Sequence, residues 1–318
     1  SVYRYYPNAS SLYAWYQFDE DLSISGDLED RSGNARNLSP EDDPANRIEA
    51  PVTDSPTDHP SPGFPTKSSK FSDSLLEYSV TTDFTWGDGT NDQPFSVAMW
   101  IKFANMHTIQ RIIAKYDSTS AHKEWFIYSD NTTGVRFNLY DDSTGGHARA
   151  YIPIEILRND TWYHMVFTYS GVGGSTADDG IKCYLNGVDR TSGRDQDSYT
   201  AMENTAAKFT IGNYDDENSA KDFVGQMAEV AVWSSELGAE AVKALYGARR
   251  HVHAYGSGFL GNPPRVQLRD RDVRLGSYPS VARSGDHDFL GTGKGFFDDT
   301  KTVVFNSSYA TAVIEFLD

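Results

Sequence analysis

Between Pro94 and Tyr246, apolar and polar side chains alternate in short runs: PFSVAMWIKF, WFIYS, VRFNLY, WYHMVFTYSG, IKCYLNGVD, FTIGNY and FVGQMAEVAVW. In the first run Phe95, Val97, Met99, Ile101 and Phe103 share one face, and Ser96, Ala98, Trp100 and Lys102 share the other. Val135, Phe137 and Leu139 alternate with Arg136, Asn138 and Tyr140. Tyr163, Met165, Phe167 and Tyr169 alternate with His164, Val166 and Thr168, and Ile181, Cys183 and Leu185 with Lys182, Tyr184 and Asn186. A period of two marks a strand with one buried face. Gly, Asp, Asn and Ser separate the runs, and Asn186-Gly187 suits the positive-φ pair of a tight hairpin. The pattern predicts an all-β fold, an antiparallel sandwich of two sheets packed face to face. After Trp233 the spacing changes. Leu237, Ala241 and Leu245 predict a short helix, with Ser234 or Ser235 as its cap and Gly247 at its stop.

The order of these phrases carries a family resemblance. FSVAMWIKF, RIIAKYD, WYHMVFTYSG with KCYLNGVD, FTIGNY and FVGQMAEVAVW followed by a helix resemble the concanavalin A-like jelly roll in its laminin-G-like form. Upstream, LYAWYQFDED and LEDRSGNARNLS resemble that family's first strand and its D-x-S-G-N turn. The resemblance covers about Leu12 to Tyr246 and implies a fold that binds or builds more often than it catalyses.

Read this way, the chain has four pieces. Residues 1–38 hold the first strand and turn, and residues 39–67 form a Pro- and acid-rich linker or surface loop. Residues 68–247 are the body of the sandwich, and residues 248–318 form an extended C-terminal arm with late strands at Thr302–Phe305 and Thr311–Phe316. Seven prolines between 39 and 67 rule out a helix or a central strand there.

Charge narrows the partners. With 28 basic and 45 acidic residues the 318-residue chain carries −17, which disfavours nucleic acid and anionic membranes. No 18-residue apolar run is present, and the polar opening SVYRYYPNAS has no signal-peptide core. One cysteine, Cys183, excludes an internal disulfide and reads as a buried thiol.

Catalytic patterns are missing. No E-x-D-x-E places alternate carboxylates on one strand face, as a jelly-roll glycosidase requires. Neither HExxH nor G-x-S-x-G occurs, and GTGKGFF lacks the ending of a phosphate loop. The expectation is a protein without enzymatic activity.

Three sets of residues remain as candidate sites. Family resemblance implies that a calcium ion can sit at a sheet rim, where Asp83, Asp88 and Asp117 supply carboxylates; Asp92, and the pair Asp30 and Asn34, are further oxygen donors of that kind. Trp86 and Trp125 fall at the edges of runs and are candidates for an exposed glycan platform, whereas Trp100, Trp162 and Trp233 sit inside strand patterns. In the C-terminal arm Arg265, Arg269, Arg271, Arg274 and Arg283 are candidates for contact with carboxylates of a neighbouring subunit. Such an arm after such a sandwich also resembles structural proteins of tailed bacterial viruses. Two functions follow as expectations. One is a virion structural protein, a capsid decoration or tail accessory, that contacts copies of itself and other virion proteins. The other is a lectin-like glycan-binding module of a phage adhesin or secreted bacterial protein, with calcium as a possible cofactor and a host-surface glycan as partner.

Overall fold

Each alternating run becomes a strand, and the registers show which face it buries. The computed structural model describes residues 9–19, 26–40, 68–72, 74–118, 120, 122–214 and 221–247, together with the backbone of five short strands between 265 and 316. In chain order the strands are β1 (Leu12–Tyr16), β2 (Ser39–Pro40), β3 (Ser69–Phe71), β4 (Leu76–Tyr78) and β5 (Phe95–Phe103). They continue with β6 (Gln110–Asp117), β7 (His122–Asp130), β8 (Gly134–Asp141), β9 (Gly146–Pro153) and β10 (Trp162–Tyr169). The sandwich closes with β11 (Ile181–Leu185), β12 (Val188–Asp189), β13 (Ser192–Asp197), β14 (Phe209–Ile211) and β15 (Gly225–Trp233). Helix α1 (Ala239–Gly247) follows.

These strands form two antiparallel sheets. A seven-stranded sheet has the order β1-β15-β5-β10-β11-β12, with β3 paired to the first part of β15. An eight-stranded sheet runs β13-β9-β8-β7-β6-β14-β4-β2. Between them lies the core. Phe95, Val97, Met99, Ile101, Phe103, Met165, Phe167 and Tyr169 face Trp125, Ile127, Val135, Phe137, Leu139, Ala148, Ala150 and Ile152. Each such large side chain, fully buried, contributes about 1.5–3 kcal/mol. The expected hairpin at Asn186-Gly187 is present, with φ of 51° and 80° at the two residues, the positive pair such a turn requires.

Alternation alone left the second face of β5 open to water, and the structure covers it. Ala98, Val166, Tyr184, Ala231 and Trp233 pack beneath Leu237, Val242 and Leu245, and Trp100 stacks on Tyr246 at 5.9 Å. Helix α1 thus roofs the seven-stranded sheet. It starts later than a serine cap at Ser234 or Ser235 implies. Those serines are used in the link instead: Ser235 Oγ lies 2.7 Å from Ser11 Oγ, and the Ser235 carbonyl accepts from Ser96 Oγ at 2.8 Å. The Gly238 carbonyl accepts the first helical bond, from Val242 N.

The D-x-S-G-N segment is a clasp on β1. Asp30 accepts from the backbone N–H of Trp15, Ser32 and Arg36 at 2.9–3.0 Å, and Asn34 Nδ2 donates to the Leu12 and Tyr13 carbonyls. Both residues are therefore committed to the fold. Ser39 and Pro40, assigned to the linker from sequence, pair with β4.

The chain divides into two compact units, the sandwich and a second one that holds the strands beyond α1. That second unit contains β16 (Arg265–Leu268), β17 (Val273–Leu275), β18 (Val281–Arg283), β19 (Lys301–Phe305) and β20 (Ile314–Phe316). They pair among themselves, in the order β16-β19-β18 and as β17-β20. The two late strands expected from sequence correspond to β19 and β20; β16 to β18 come from a stretch rich in glycine and proline that hid them.

Candidate functional site

With one sheet roofed by α1, the outer face of the eight-stranded sheet is the place where, among the described residues, strand side chains point away from the core without a helix over them. Registers set out a grid. Arg136 of β8 lies between Tyr151 of β9 and Tyr128 of β7. In the next row Asn138 lies between Arg149 and Phe126, followed by Ala114 of β6 and Thr210 of β14. In the third Tyr140 lies beside His147. Tyr116, Phe126 and Ala114 form a cluster of their own, separate from the core, with Tyr128, Tyr140 and Tyr214 packed on it.

The rings touch one another. Tyr116 has ring centroids 4.8 Å from Phe126, 5.4 Å from Tyr140 and 4.7 Å from Tyr214. Phe126 stacks on Tyr128 at 4.8 Å and on Tyr140 at 5.8 Å. Burial holds the Tyr116 and Tyr128 hydroxyls above their ordinary titration range, so both stay protonated. Arg111 lies 3.5 Å over the Tyr214 ring and donates to Asn213 Oδ1. Arg136 donates to Thr133 Oγ1 at 2.8 Å and is 3.5 Å from Asp130. Arg149 pairs with Asp195 at 2.5 Å, and His147 meets the same carboxylate at 3.2 Å. Asp195 is pulled below the ordinary carboxylate range by its hydrogen bond to His147, against desolvation, and by Arg149.

The residues singled out from sequence lie elsewhere. Trp86 and Trp125 are not a surface platform. Trp86 is 5% exposed and stacks on Phe95 at 5.2 Å. Trp125 is fully buried and donates its indole N–H to the Phe84 carbonyl. Trp125 sits at the edge of its apolar run but inside β7, because the strand begins three residues earlier at His122. Trp100 and Trp233 are buried, as expected, and Trp162 is half-buried. Arg265, Arg274 and Arg283 fall on β16, β17 and β18, and Arg269 and Arg271 lie outside the described residues. Cys183 is a buried free thiol whose pKa burial pushes up.

The rim carboxylates do not assemble into a cation site. Asp83 accepts from Arg36 Nε at 2.9 Å and from the Tyr78 hydroxyl at 3.2 Å. Asp88 is exposed and turns back on its own loop to cap the N–H groups of Thr90 and Asn91. Asp117 caps Ser120. Among the described residues no three His, Cys, Asp or Glu side chains gather as a metal-binding group. Asp92 is held by Tyr169, Tyr199 and Met202. The set Asp83, Asp88 and Asp117 therefore does not fit a calcium ion.

A side-chain cation lies at this rim instead. Lys115, fully buried, donates from Nζ to the Thr81 carbonyl at 2.7 Å and the Ala207 carbonyl at 2.6 Å, with Glu124 Oε1 at 3.4 Å. The same Oε1 accepts from Thr205 N and Thr205 Oγ1 at 2.9 and 2.8 Å. Burial raises the Glu124 carboxyl from 4.5 to about 7, offset in part by Lys115 and the Thr205 bonds. Its folded pKa lies above its unfolded one, so the stability it contributes is complete below pH about 4.5 and is lost as pH rises through about 7. The Glu124→Gln variant is expected to lose this decline. Urea midpoints of both proteins at pH about 5 and about 7.5 check it, each pKa unit being worth about 1.4 kcal/mol. Equal slopes in the two proteins would remove Glu124 from the account.

None of the aromatic face was singled out as a site beforehand. Its signal lay in the polar half of the alternation. There VRFNLY and GHARAYIP place Arg, Asn, Tyr and His opposite the core, where a plain solvated face carries Lys, Glu and Ser.

Comparison with known proteins agrees with this architecture. Residues 78–243, just over half of the chain, match the sequence family described as the concanavalin A-like lectin/glucanases superfamily. Among solved structures, the receptor binding domain of botulinum neurotoxin D superposes with a TM-score of 0.51 at 14% identity, over 86% of this chain and 63% of that domain. The chain thus spans less than two thirds of the toxin domain. Domain 4 of AbnA, a GH43 extracellular arabinanase from Geobacillus stearothermophilus, solved in complex with arabinotriose, gives a TM-score of 0.49 at 19% identity, over 74% of this chain and 98% of that one. No curated protein sequence matches. At these identities the likeness to the toxin domain concerns the fold alone. Strand order, two packed sheets and a family match running from β4 to α1 converge: the chain belongs to the concanavalin A-like lectin/glucanases superfamily.

Proposed function

We propose that this protein is a glycan-binding module, and that the outer face of the eight-stranded sheet receives the sugar. The observation that carries this reading is the stripe of half-buried rings Tyr128, Tyr140 and Tyr214, backed by the buried Tyr116 and Phe126 and interleaved with Arg136, Asn138 and Arg149. Sugar rings present apolar C–H faces and a rim of hydroxyls. Flat rings with planar donors and acceptors between them match both properties, which is the usual make-up of a small-molecule site. The face favours binding over cleavage. A glycosidase needs one carboxylic acid held protonated beside an ionised partner, and both Asp195 and Asp130 are pulled below the ordinary range by hydrogen bonds and arginines, despite some desolvation.

Binding to immobilised oligosaccharides, followed by titration calorimetry, tests the reading. Tyr128→Ala and Tyr140→Ala are each expected to weaken binding about tenfold, roughly 1.4 kcal/mol, with the fold intact by circular dichroism. Unchanged affinity in both variants would overturn it.

A second reading is favoured by the strands beyond α1. They pair with one another and join neither sheet of the sandwich, which gives the chain a separate unit for attachment. In that reading the protein is a structural component of a virus particle, with residues 248–318 bound to copies of the chain or to other particle proteins and the sandwich presented outward.

A further inference from the structure

We infer that the sugar taken by this face is uncharged, and that Asn138 is the residue whose hydrogen bond it completes. The inference rests on the glycan-binding reading and narrows its ligand class.

Four cationic or potentially cationic groups line the face: Arg111, Arg136, Arg149 and His147. At first sight they make a receptor for the carboxylate or sulfate of an acidic glycan. Each is already engaged. Arg149 reaches Asp195 through Nε at 2.8 Å and Nη2 at 2.5 Å, and His147 Nε2 reaches the same carboxylate at 3.2 Å. Arg136 holds Thr133 and Asp130. Arg111 donates to Asn213, itself bonded through its amide to Asp222, and lies flat on Tyr214. An incoming anion finds Arg136, Arg149 and His147 already beside carboxylates and Arg111 buried. At Arg149 it has to displace a carboxylate oxygen, Asp195 Oδ2, that already holds two arginine N–H groups and His147, and it approaches a protein that carries −17 overall. A neutral sugar meets no such opposition, and fixed Arg–Asp pairs offer its hydroxyls donors and acceptors in set positions.

Asn138 supplies the independent observation. It stands at the centre of the grid, between Phe126 and Arg149 across the strands. It is 2% exposed, and its Oδ1 has no hydrogen-bond partner. A buried amide oxygen without a donor is uncommon and costly. That oxygen only accepts, so the group that satisfies it must donate. A sugar hydroxyl donates; acidic sugars carry hydroxyls too, so this oxygen argues for a sugar, and the engaged cations argue for an uncharged one.

The test uses the full chain against two sets of probes. Neutral probes are cellohexaose, xylohexaose, mannohexaose and lacto-N-tetraose; anionic probes are sialyllactose, oligogalacturonate and chondroitin sulfate. Binding is expected among the neutral set alone. Asn138→Leu is expected to lose about tenfold or more in affinity for the neutral probe while its melting temperature rises, because a polar atom that only a ligand satisfies has been removed. Asp195→Asn frees Arg149 and His147 and is expected to bring in measurable binding of an anionic probe. Binding of anionic probes alone by the unaltered protein would overturn this inference and leave the glycan-binding reading in place. Failure of every probe would overturn that reading itself. Full neutral affinity in Asn138→Leu would remove Asn138 from the site.

Discussion

Replacing Lys115 by methionine is expected to cost about 3–5 kcal/mol of stability, the usual loss when one member of a buried ion pair is removed. Methionine keeps the stem and its packing, so the change isolates the ammonium. Without it the Thr81 and Ala207 carbonyls lose their shared donor, and Glu124 loses the opposite charge beside it. Those carbonyls belong to two separate connections, the one after β4 and the one before β14, which Lys115 of β6 draws to a single point. Against a total stability of about 5–15 kcal/mol such a loss is severe. The double variant Lys115→Met with Glu124→Leu is expected to recover part of it, because a pair replaced together leaves no unpaired charge. Equilibrium urea unfolding of the three proteins decides the matter. A single-variant loss below about 1 kcal/mol, the scale of an exposed pair, would mean the ammonium does not hold these loops.

Asp92→Ala should be nearly as damaging, about 3–5 kcal/mol, through acceptors rather than charge. Its carboxylate takes the hydroxyl protons of Tyr169 and Tyr199, both at 2.6 Å, and the Met202 N–H at 2.8 Å. Tyr169 belongs to β10 in one sheet, while Tyr199 and Met202 lie between β13 and β14 of the other. One side chain thus fastens both layers at one end of the sandwich. Desolvation raises its pKa while the two tyrosines and the Met202 amide pull it down. Alanine strands all three donors. Asparagine retains an acceptor, and Asp92→Asn is expected to cost about half as much, the single-bond scale being about 1–3 kcal/mol. Chemical denaturation followed by near-ultraviolet circular dichroism measures both, and equal losses in the two variants would show that the volume of the side chain matters rather than its hydrogen bonds.

The fold was legible because one physical rule governs most of it. FSVAMWIKF, WYHMVFTY and IKCYL each have one face to bury, and each became a strand within a residue or two of the limits its pattern sets. Asn186-Gly187 made the turn its backbone freedom allows. Site residues were another matter. Trp86 and Trp125 looked like platforms because local sequence does not say which loop folds over which ring; Tyr13 packs on the first and Phe84 caps the indole of the second, contacts over 70 and about 40 residues apart. Asp83 looked like a metal ligand because Arg36, its partner, is 47 residues upstream. The aromatic face is assembled from β6, β7, β8 and the turn after β14, so no single window contains it. Short-range pattern fixes which side of a strand is buried; it is silent on which distant side chain claims a given carboxylate or ring.

Pairing of β1 with β15 joins Tyr16 to Val230, and β15 also lies against β5. The eight-stranded sheet has a different history: β6, β7, β8 and β9 follow one another and pair as consecutive hairpins. During synthesis those four strands can pair with one another early, while β1 and β5 wait with open edges for a strand made more than a hundred residues after β5. Completion of the sandwich is thus a late event that closes a very long loop, which places this chain among the slow folders, on the millisecond-to-second scale or beyond. Until then the unsatisfied edges of β1 and β5 are surfaces on which a nascent chain can be captured by a chaperone or by another copy of itself.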